Sequence, residues 1–315
     1  MAEAVTSQCG EILNWTADGT YTKGDVIQVS DGRAGVVLAD VTSGNKVGVD
    51  VAQGTVYEVA KTTSMVVLRG SKLWWDHSAN KVHLLHRNDR DFYAGVAVED
   101  ATSSATTVRI ALNQEPKYAA SFRGGFASVR VQTAGFVSAC GAGAEGCNLE
   151  FSATAEAQKA DALSFQGTAP GSEGVLHMLL CVNTNGDAAA LDANFGLANG
   201  THATDADSIT ESLFIHIDGN SANINLESDD DTTEVAATDT TVDFTAGTPF
   251  LFQADLSNLA DIQCYLDGVN VLPASVFKLD AATGPLKLLA HVEKTSDDSP
   301  GNFSVLYAGV TTAQV

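Results

Sequence analysis

Over the first third of the chain, apolar and polar residues alternate in short runs, each closed by turn residues. Val26 and Ile27 lie in a run at 24–30 that ends at Asp31 and Gly32. Runs at 35–40, 46–51, 55–60 and 64–69 follow, divided by Ser43-Gly44-Asn45, Gln53-Gly54 and Gly70. Further runs at 72–75, 81–85, 92–98 and 106–112 extend the series. In the last, Val108, Ile110 and Leu112 alternate with Arg109 and Ala111, as in a strand with one face in a core. Many short strands with closely spaced turns, and no long amphipathic helix, predict a small β-barrel or sandwich.

The segment NQEPKY at 113–118, with Pro116 as a breaker, reads as a linker. Beyond it, runs at 128–132, 175–182, 213–218, 223–226, 250–255, 261–266, 286–292 and 303–310 predict a second β-rich region. Leu213, Ile215 and Ile217 fall on one face of their run, and Phe214, His216 and Asp218 on the other. Ile262, Cys264 and Leu266 alternate likewise before the hairpin pair Asp267-Gly268. The unbroken apolar run at 175–182 fits a strand buried on both faces, with a short helix as the other reading. The expected fold class is all-β: a small N-terminal barrel or sandwich, then a larger two-sheet sandwich.

Composition agrees with a globular chain: 44% of the 315 residues are hydrophobic and the mean hydropathy is +0.03. Charge narrows the partners. There are 17 Lys and Arg against 39 Asp and Glu, a net charge of −22. That balance argues against nucleic acid and against an anionic membrane surface as partners. No apolar run approaches the ~20 residues of a membrane span. The opening MAEAVTSQCG lacks a basic stretch followed by an apolar core, so it does not read as a secretory signal. The acidity is uneven. Residues 1–114 carry 10 basic and 13 acidic side chains, a net of −3, whereas the remainder carries 7 and 26, a net of −19. An acidic surface of this kind either keeps the second region soluble or marks it as the solvent-facing part of a chain whose first region docks elsewhere.

Candidate chemistry is sparse. His83 and His86 are three apart, which on a strand puts them on opposite faces. The other histidines show no ligand spacing, and no nucleophile, zinc, phosphate-loop or dinucleotide motif is present. No catalytic residue, cofactor or enzymatic activity is therefore assigned. Asp229, Asp230 and Asp231, preceded by Glu227, form the densest carboxylate run; they are the weak calcium candidates, set against a solvated acidic turn. Asp205 and Asp207 are a weaker pair. The five cysteines, Cys9, Cys140, Cys147, Cys181 and Cys264, read as mostly buried thiols. Cys140 and Cys147 are the one close pair that an oxidising medium would bridge. Trp74 and Trp75 adjoin on one strand, so one ring should enter the core and the other should meet a loop or a partner. Ile12, Leu13 and Trp15 lie in an N-terminal stretch of weak periodicity.

Three pieces in order carry a resemblance: GDVIQVSDGRAGVVLADVTSGNKVGVDVAQGTVYEVAK, then GSKLWWDHSANKV, then FYAGVAVEDATSSATTVRIALN. The ordered set resembles the DUF2190 family of phage capsid decoration, or cement, proteins. LHRNDR at 85–90 is more charged than the plainer members. The pieces DIQCYLDG, GPLKLLAHVEKTS and the terminal FSVLYAGV resemble concanavalin A-like, laminin-G-type jelly-roll domains. The expected division is an arm at 1–19, a cement-like β domain at 20–114, a linker at 115–118 and a jelly-roll domain at 119–315. The resemblance implies a virion protein on the outer capsid surface, made in the host cytoplasm. Its partner would be the major capsid protein, with a homotrimer favoured over a dimer. Ile12, Leu13, Trp15, Trp74 and Trp75 are the candidate contacts to capsid or to a second copy. The alternative is a virion-attached adhesin whose second domain binds a host-surface glycan. A carbohydrate-active enzyme is the third class, disfavoured because aromatics are only 7% of the chain and no Trp follows Trp75.

Overall fold

The computed structural model describes residues 11–131, 135–139, 145–186 and 191–313. Two compact units divide the chain, Met1–Pro116 and Lys117–Val315. Both are built from antiparallel sheets, as the alternating runs require.

The first unit contains β1 (Ile12–Thr16), β2 (Val26–Gln28), β3 (Ala34–Val37), β4 (Lys46–Asp50), β5 (Val56–Ala60), β6 (Lys72–Asp76), β7 (Lys81–His83), β8 (Phe92–Ala97) and β9 (Thr107–Leu112). They form a four-stranded sheet, β1-β4-β3-β2, and a five-stranded sheet, β5-β9-β8-β6-β7. Neither closes into a barrel. The five-stranded sheet curls until one parallel bridge, Lys61 to Val82, links its two edges, with no ladder beside it. The four-stranded sheet packs around Ile27, Val29, Val37, Val47 and Val49. Asn113 joins the two sheets. Its amide donates to the carbonyls of Ala34 and Val51, and its oxygen accepts from the Ala34 amide.

Two expectations need correction here. Residues 12–16, read as part of an arm, pair with Lys46–Asp50 over their whole length. Five consecutive backbone pairings outweigh the weak side-chain periodicity that hid the strand. The run at 64–69 is not a strand: only Val67 bridges, to Ala101. Ser64 at φ 68° and Gly70 at φ 80° turn the chain at both ends and leave no room for a ladder.

The second unit is a two-sheet sandwich. One sheet orders β12 (Gly135–Ala139), β13 (Cys147–Phe151), β24 (Gly301–Thr312), β15 (Glu173–Thr184), β20 (Phe250–Asp255), β21 (Gln263–Leu266) and β22 (Val269–Val271), with β10 (Ala120–Ser121) also pairing β24. The other orders β11 (Phe126–Val131), β14 (Glu156–Thr168), β23 (Leu286–Asp297), β16 (Leu191–Ala198), β17 (Glu211–Asp218), β18 (Asn223–Asp230) and β19 (Glu234–Asp243). Their inner faces share one core, in which Leu149, Phe303 and Val305 meet Phe195, Ile215 and Leu288. Phe195 and Phe303 stack across the sheets with ring centroids 5.9 Å apart. β15 is a strand, and it is buried along most of its length on both faces, so the helical reading of 175–182 falls. The edge strand β19 carries Glu234, Asp239 and Asp243.

Candidate functional site

The candidate contact residues of the first unit fall into two groups. Ile12 is exposed on the edge strand β1, and Leu13 and Trp15 are half-buried on its other face. Trp15 meets Tyr21 edge-on at 5.3 Å. Trp75 is buried, as one of the paired indoles should be. Trp74 is half-buried because His86 and Tyr93 stand edge-on to it at 5.2 and 5.5 Å. The loop residue His86 and Tyr93 of β8, both in the same unit, thus cover the second ring. Trp15, Tyr21, Trp75 and Phe92 reappear in the wall of a pocket of about 620 Å³, with Asp18, Asp25 and Arg90 among the other wall residues. It is an open pocket of mixed charge, with Trp75 and Phe92 buried beneath it.

β7 ends at His83, so the alternation of a strand does not reach His86: His83 is buried and His86 is exposed beyond the strand, against Trp74. Burial, with the Arg87 charge second, pushes His83 down to about 4 despite Asp76 and Asp91. Its Nδ1 accepts from the Leu85 amide at 3.2 Å, which needs the neutral ring. The unfolded chain therefore binds a proton near pH 6.5 that the folded unit refuses. Stability of this unit should be full above that pH and fall as pH drops toward 4, by about 3 kcal/mol. All three tryptophans lie in this unit, so their fluorescence reads its melting alone. The loss between pH 6.5 and 4.5 should flatten in His83→Gln; an unchanged slope would remove His83 as the cause.

In the second unit, chemistry collects on the outer face of the seven-stranded sheet. Register builds it in rows. Asp161 of β14 faces His291 of β23, His291 faces Asn194 of β16, Asn194 faces His216 of β17, and His216 faces Asn225 of β18. A parallel row runs Lys159, Glu293, Asp192, Asp218. On the other side of the polar row, Leu163, Leu289, Gly196 and Phe214 form an apolar row. The connection at 199–210 lies over that apolar row, burying Ala206 and Ile209 against Phe214 and Leu289. Lys159 donates to the His202 carbonyl of this connection. The short turn Ala206–Ser208 then carries Asp207 onto His216.

His216 is buried among four carboxylates. Its Nδ1 lies 3.3 Å from Asp207 and 3.4 Å from Glu227, and its Nε2 lies 3.2 Å from Asp218 and 3.6 Å from Asp192. Burial alone would lower its pKa, but the hydrogen bonds to Asp207 and Glu227 and the Asp192 charge push it up to about 12. Burial pushes the Asp192 carboxyl up to about 7 despite the imidazolium beside it. Burial raises Glu227 as well, whereas Asp207 is held down by His216 and Asn194 against its own burial. Among the described residues, no Lys or Arg forms an ion pair with Asp192, Asp207 or Glu227. One imidazolium thus answers several carboxylates in a poorly solvated place.

The neighbouring cluster is better balanced. Asp161, fully buried, takes Lys159 Nζ at 2.7 Å and His291 Nδ1 at 2.6 Å, and His291 Nε2 meets Glu293 at 2.9 Å. Burial opposes charge on His291, yet Asp161 and Glu293 push it up to about 9.

Asp229, Asp230 and Asp231 stand at the turn after β18. Asp229 accepts from the Asp231 amide, and Asp230 accepts from the amides of Thr232 and Thr233. Their oxygens close a turn and do not converge on one point. Cys181 and Cys264 are buried free thiols, and Cys147 is buried too. Cys9 and Cys140 lie outside the described residues, and with Cys140 the pairing to Cys147. No helix among the described residues is long and apolar enough to cross a membrane. The sequence reading missed Asp192 and Glu227 as partners of His216. The available signal was the spacing of two in Asp192/Asn194, His216/Asp218 and Asn225/Glu227, which puts each pair on one face of a strand.

Residues 7–112 match the family described as phage cement protein. No curated protein matches the chain at a significant level. Among solved structures, the chain is similar to the Emp47p carbohydrate recognition domain, with 9% identity over 59% of this chain and 89% of that one and a TM-score of 0.41. It is also similar to the carbohydrate-binding module CBM66 from Bacillus subtilis, with 11% identity, 59% and 95% coverage and a TM-score of 0.35. An alginate lyase from Corynebacterium sp. shows 14% identity, 58% and 83% coverage and a TM-score of 0.39. Likenesses of this size say nothing about ligand or activity.

Proposed function

We propose, from a first unit whose residues 7–112 match the phage cement family, that this chain is a capsid decoration protein acting by binding and not by chemistry. That match, falling within the compact unit Met1–Pro116, is the observation that carries the reading. The near-neutral first unit docks on the outside of the major capsid lattice and the acidic second unit faces solvent. A subunit that binds the assembled shell and not its dissociated parts stabilises the shell by mass action. Repetition over the lattice, and trimerisation at three-fold positions, would add avidity. β1 and the pocket beside Trp15 and Tyr21 are the surfaces offered for docking.

Electron microscopy of the intact particle tests this. Ordered density for the chain on the capsid exterior is expected, and particles stripped of it should lose their contents at lower temperature. Absence from the head, with presence in tail fibres, would overturn the proposal. The adhesin reading rests on the polar outer face of the seven-stranded sheet. It predicts that the full chain retains a glycan on an array, and that binding is lost in Asn225→Ala.

A further inference from the structure

Asparagine precedes glycine twice in the chain, at 185–186 and at 199–200. Such an asparagine is open to attack by its own backbone, because no β-carbon on the glycine shields the amide nitrogen that attacks the side-chain Cγ. The two copies stand in different surroundings. Asn185 is engaged at both ends of its amide. Its Nδ2 donates to the carbonyls of Asp218 and Ser221, and its Oδ1 accepts from the Asn220 amide at 3.1 Å. Gly186 is hemmed in: a β-carbon there would lie 2.9 Å from the Ser299 side chain and 3.1 Å from the Pro300 carbonyl oxygen. Turning Cγ toward Gly186 would break all three hydrogen bonds in a crowded place. Asn199 directly follows β16, where the connection at 199–210 begins, and it is exposed. Among the described residues its side chain makes one hydrogen bond, from Nδ2 to Glu211 Oε2 at 3.1 Å. A β-carbon on Gly200 would meet nothing within 4 Å. The Gly200 amide makes no backbone hydrogen bond among the described residues, so no carbonyl holds the proton it must lose.

We propose that Asn199 is a deamidation site, and that loss of its amide loosens the root of the connection at 199–210. The Gly200 nitrogen, its proton taken by hydroxide, forms a bond to Asn199 Cγ. The bond from Cγ to Nδ2 breaks, and Nδ2 leaves as ammonia with a proton from water. Water then opens the five-membered imide. Opening at Cγ gives aspartate; opening at the main-chain carbonyl gives isoaspartate, with the backbone rerouted through the side chain. Nothing is oxidised or reduced, and water is the only co-reactant. Aspartate sets an oxygen where Nδ2 now donates to Glu211, a carboxylate that also takes the amides of Thr283 and Gly284. Glu211 is 5% exposed, so two like charges meet with little water between them. Isoaspartate removes the same donor and displaces the chain beside the bond from the Asn199 amide to the Glu211 carbonyl. Further along, Lys159 on the His202 carbonyl and Asp207 on His216 still hold the connection, so it loosens at its start and not throughout. Each event adds one negative charge to the acidic unit. The reaction needs no partner, so the site stands independently of any capsid role.

The test incubates the full chain at alkaline pH, folded and in urea, and follows both asparagines by mass spectrometry of peptides, with aspartate and isoaspartate separated by chromatography. In urea both sites should convert. In the folded chain Asn199 should convert to both products, faster as hydroxide rises, and Asn185 should stay an amide. Gly200→Ala, whose methyl meets open space, should fold like the parent and slow conversion about tenfold, because the β-carbon blocks approach to the nitrogen. Asn199→Asp should lower the melting of the second unit by about 2–4 °C and leave the tryptophan transition unmoved. Four results would overturn the proposal: Asn199 intact in the folded chain while it converts in urea, Asn185 converting as fast as Asn199, Gly200→Ala converting at the parent rate, or Asn199→Asp melting with the parent.

Discussion

Asp161→Ala should lower the stability of the second unit by about 3–5 kcal/mol, the cost of breaking a buried ion pair from one side. The reason is geometric. Asp161 is fully buried and is held between Lys159 and His291, both of which are buried themselves. Removing it leaves two cations in a place where neither reaches water. Lys159 retains the His202 carbonyl, and His291 retains Glu293, so the loss should stop short of unfolding the unit. At this chain length the change corresponds to a fall of about 10 °C or more in melting temperature. Circular dichroism should show the second unit melting early, while tryptophan fluorescence, confined to the first unit, stays put. Asp161→Asn should cost less, because an amide keeps the shape and one acceptor. A loss below about 1 kcal/mol in Asp161→Ala would mean that the triad is solvated in a way its burial does not suggest.

Gly95→Ala should be the most damaging small change in the first unit. Gly95 lies in β8 at φ 147°, a conformation that side chains rarely adopt, and a Cβ there would fall 2.1 Å from the Ala111 carbonyl oxygen. It would also press within 3.1 Å of the Asn113 nitrogen. The obstacle is backbone, so no rotamer change relieves it. β9 must shift, and with it Asn113, whose side chain ties the two sheets of the unit together. Strain and overpacking each cost about 1–3 kcal/mol, which together make about 2–6 kcal/mol. The tryptophan transition should drop by about 10 °C or more, and capsid attachment should fail at temperatures the parent tolerates. A tryptophan transition within about 2–3 °C of the parent, equivalent to less than about 1 kcal/mol, would mean that the register shift at Leu73/Trp74, where β6 pairs β8, absorbs the methyl.

Strands whose alternation is written in large apolar residues were legible in the sequence. Leu213, Ile215 and Ile217 point into the core, and His216 points away, as their spacing says. Strands that bury small or polar residues were not. β14 reads EAQKADALSFQGT, and its inward positions are the alanines at 160 and 162, while its outward Lys159 and Asp161 are buried by ion pairs. β16 hides in the same way behind Asp192 and Asn194. The missed strands and the missed site are therefore one phenomenon. Polar residues that satisfy one another between strands are invisible to a rule that equates burial with apolarity. Asp207 was noticed only as half of a weak acidic pair, because it lies on a turn and its partner His216 on the strand that follows.

The edge strand β19 has a consequence for crowding. An open sheet edge offers unpaired amides and carbonyls to any similar strand that comes near, and decoration of a lattice would hold many copies close together for the life of the particle. Glu234, Asp239 and Asp243 put like charge along that edge, so strand-to-strand annealing between neighbours is repelled. On such a lattice the acidity of the second unit would do more than keep it dissolved: it would work as insulation against amyloid-like polymerisation between neighbours.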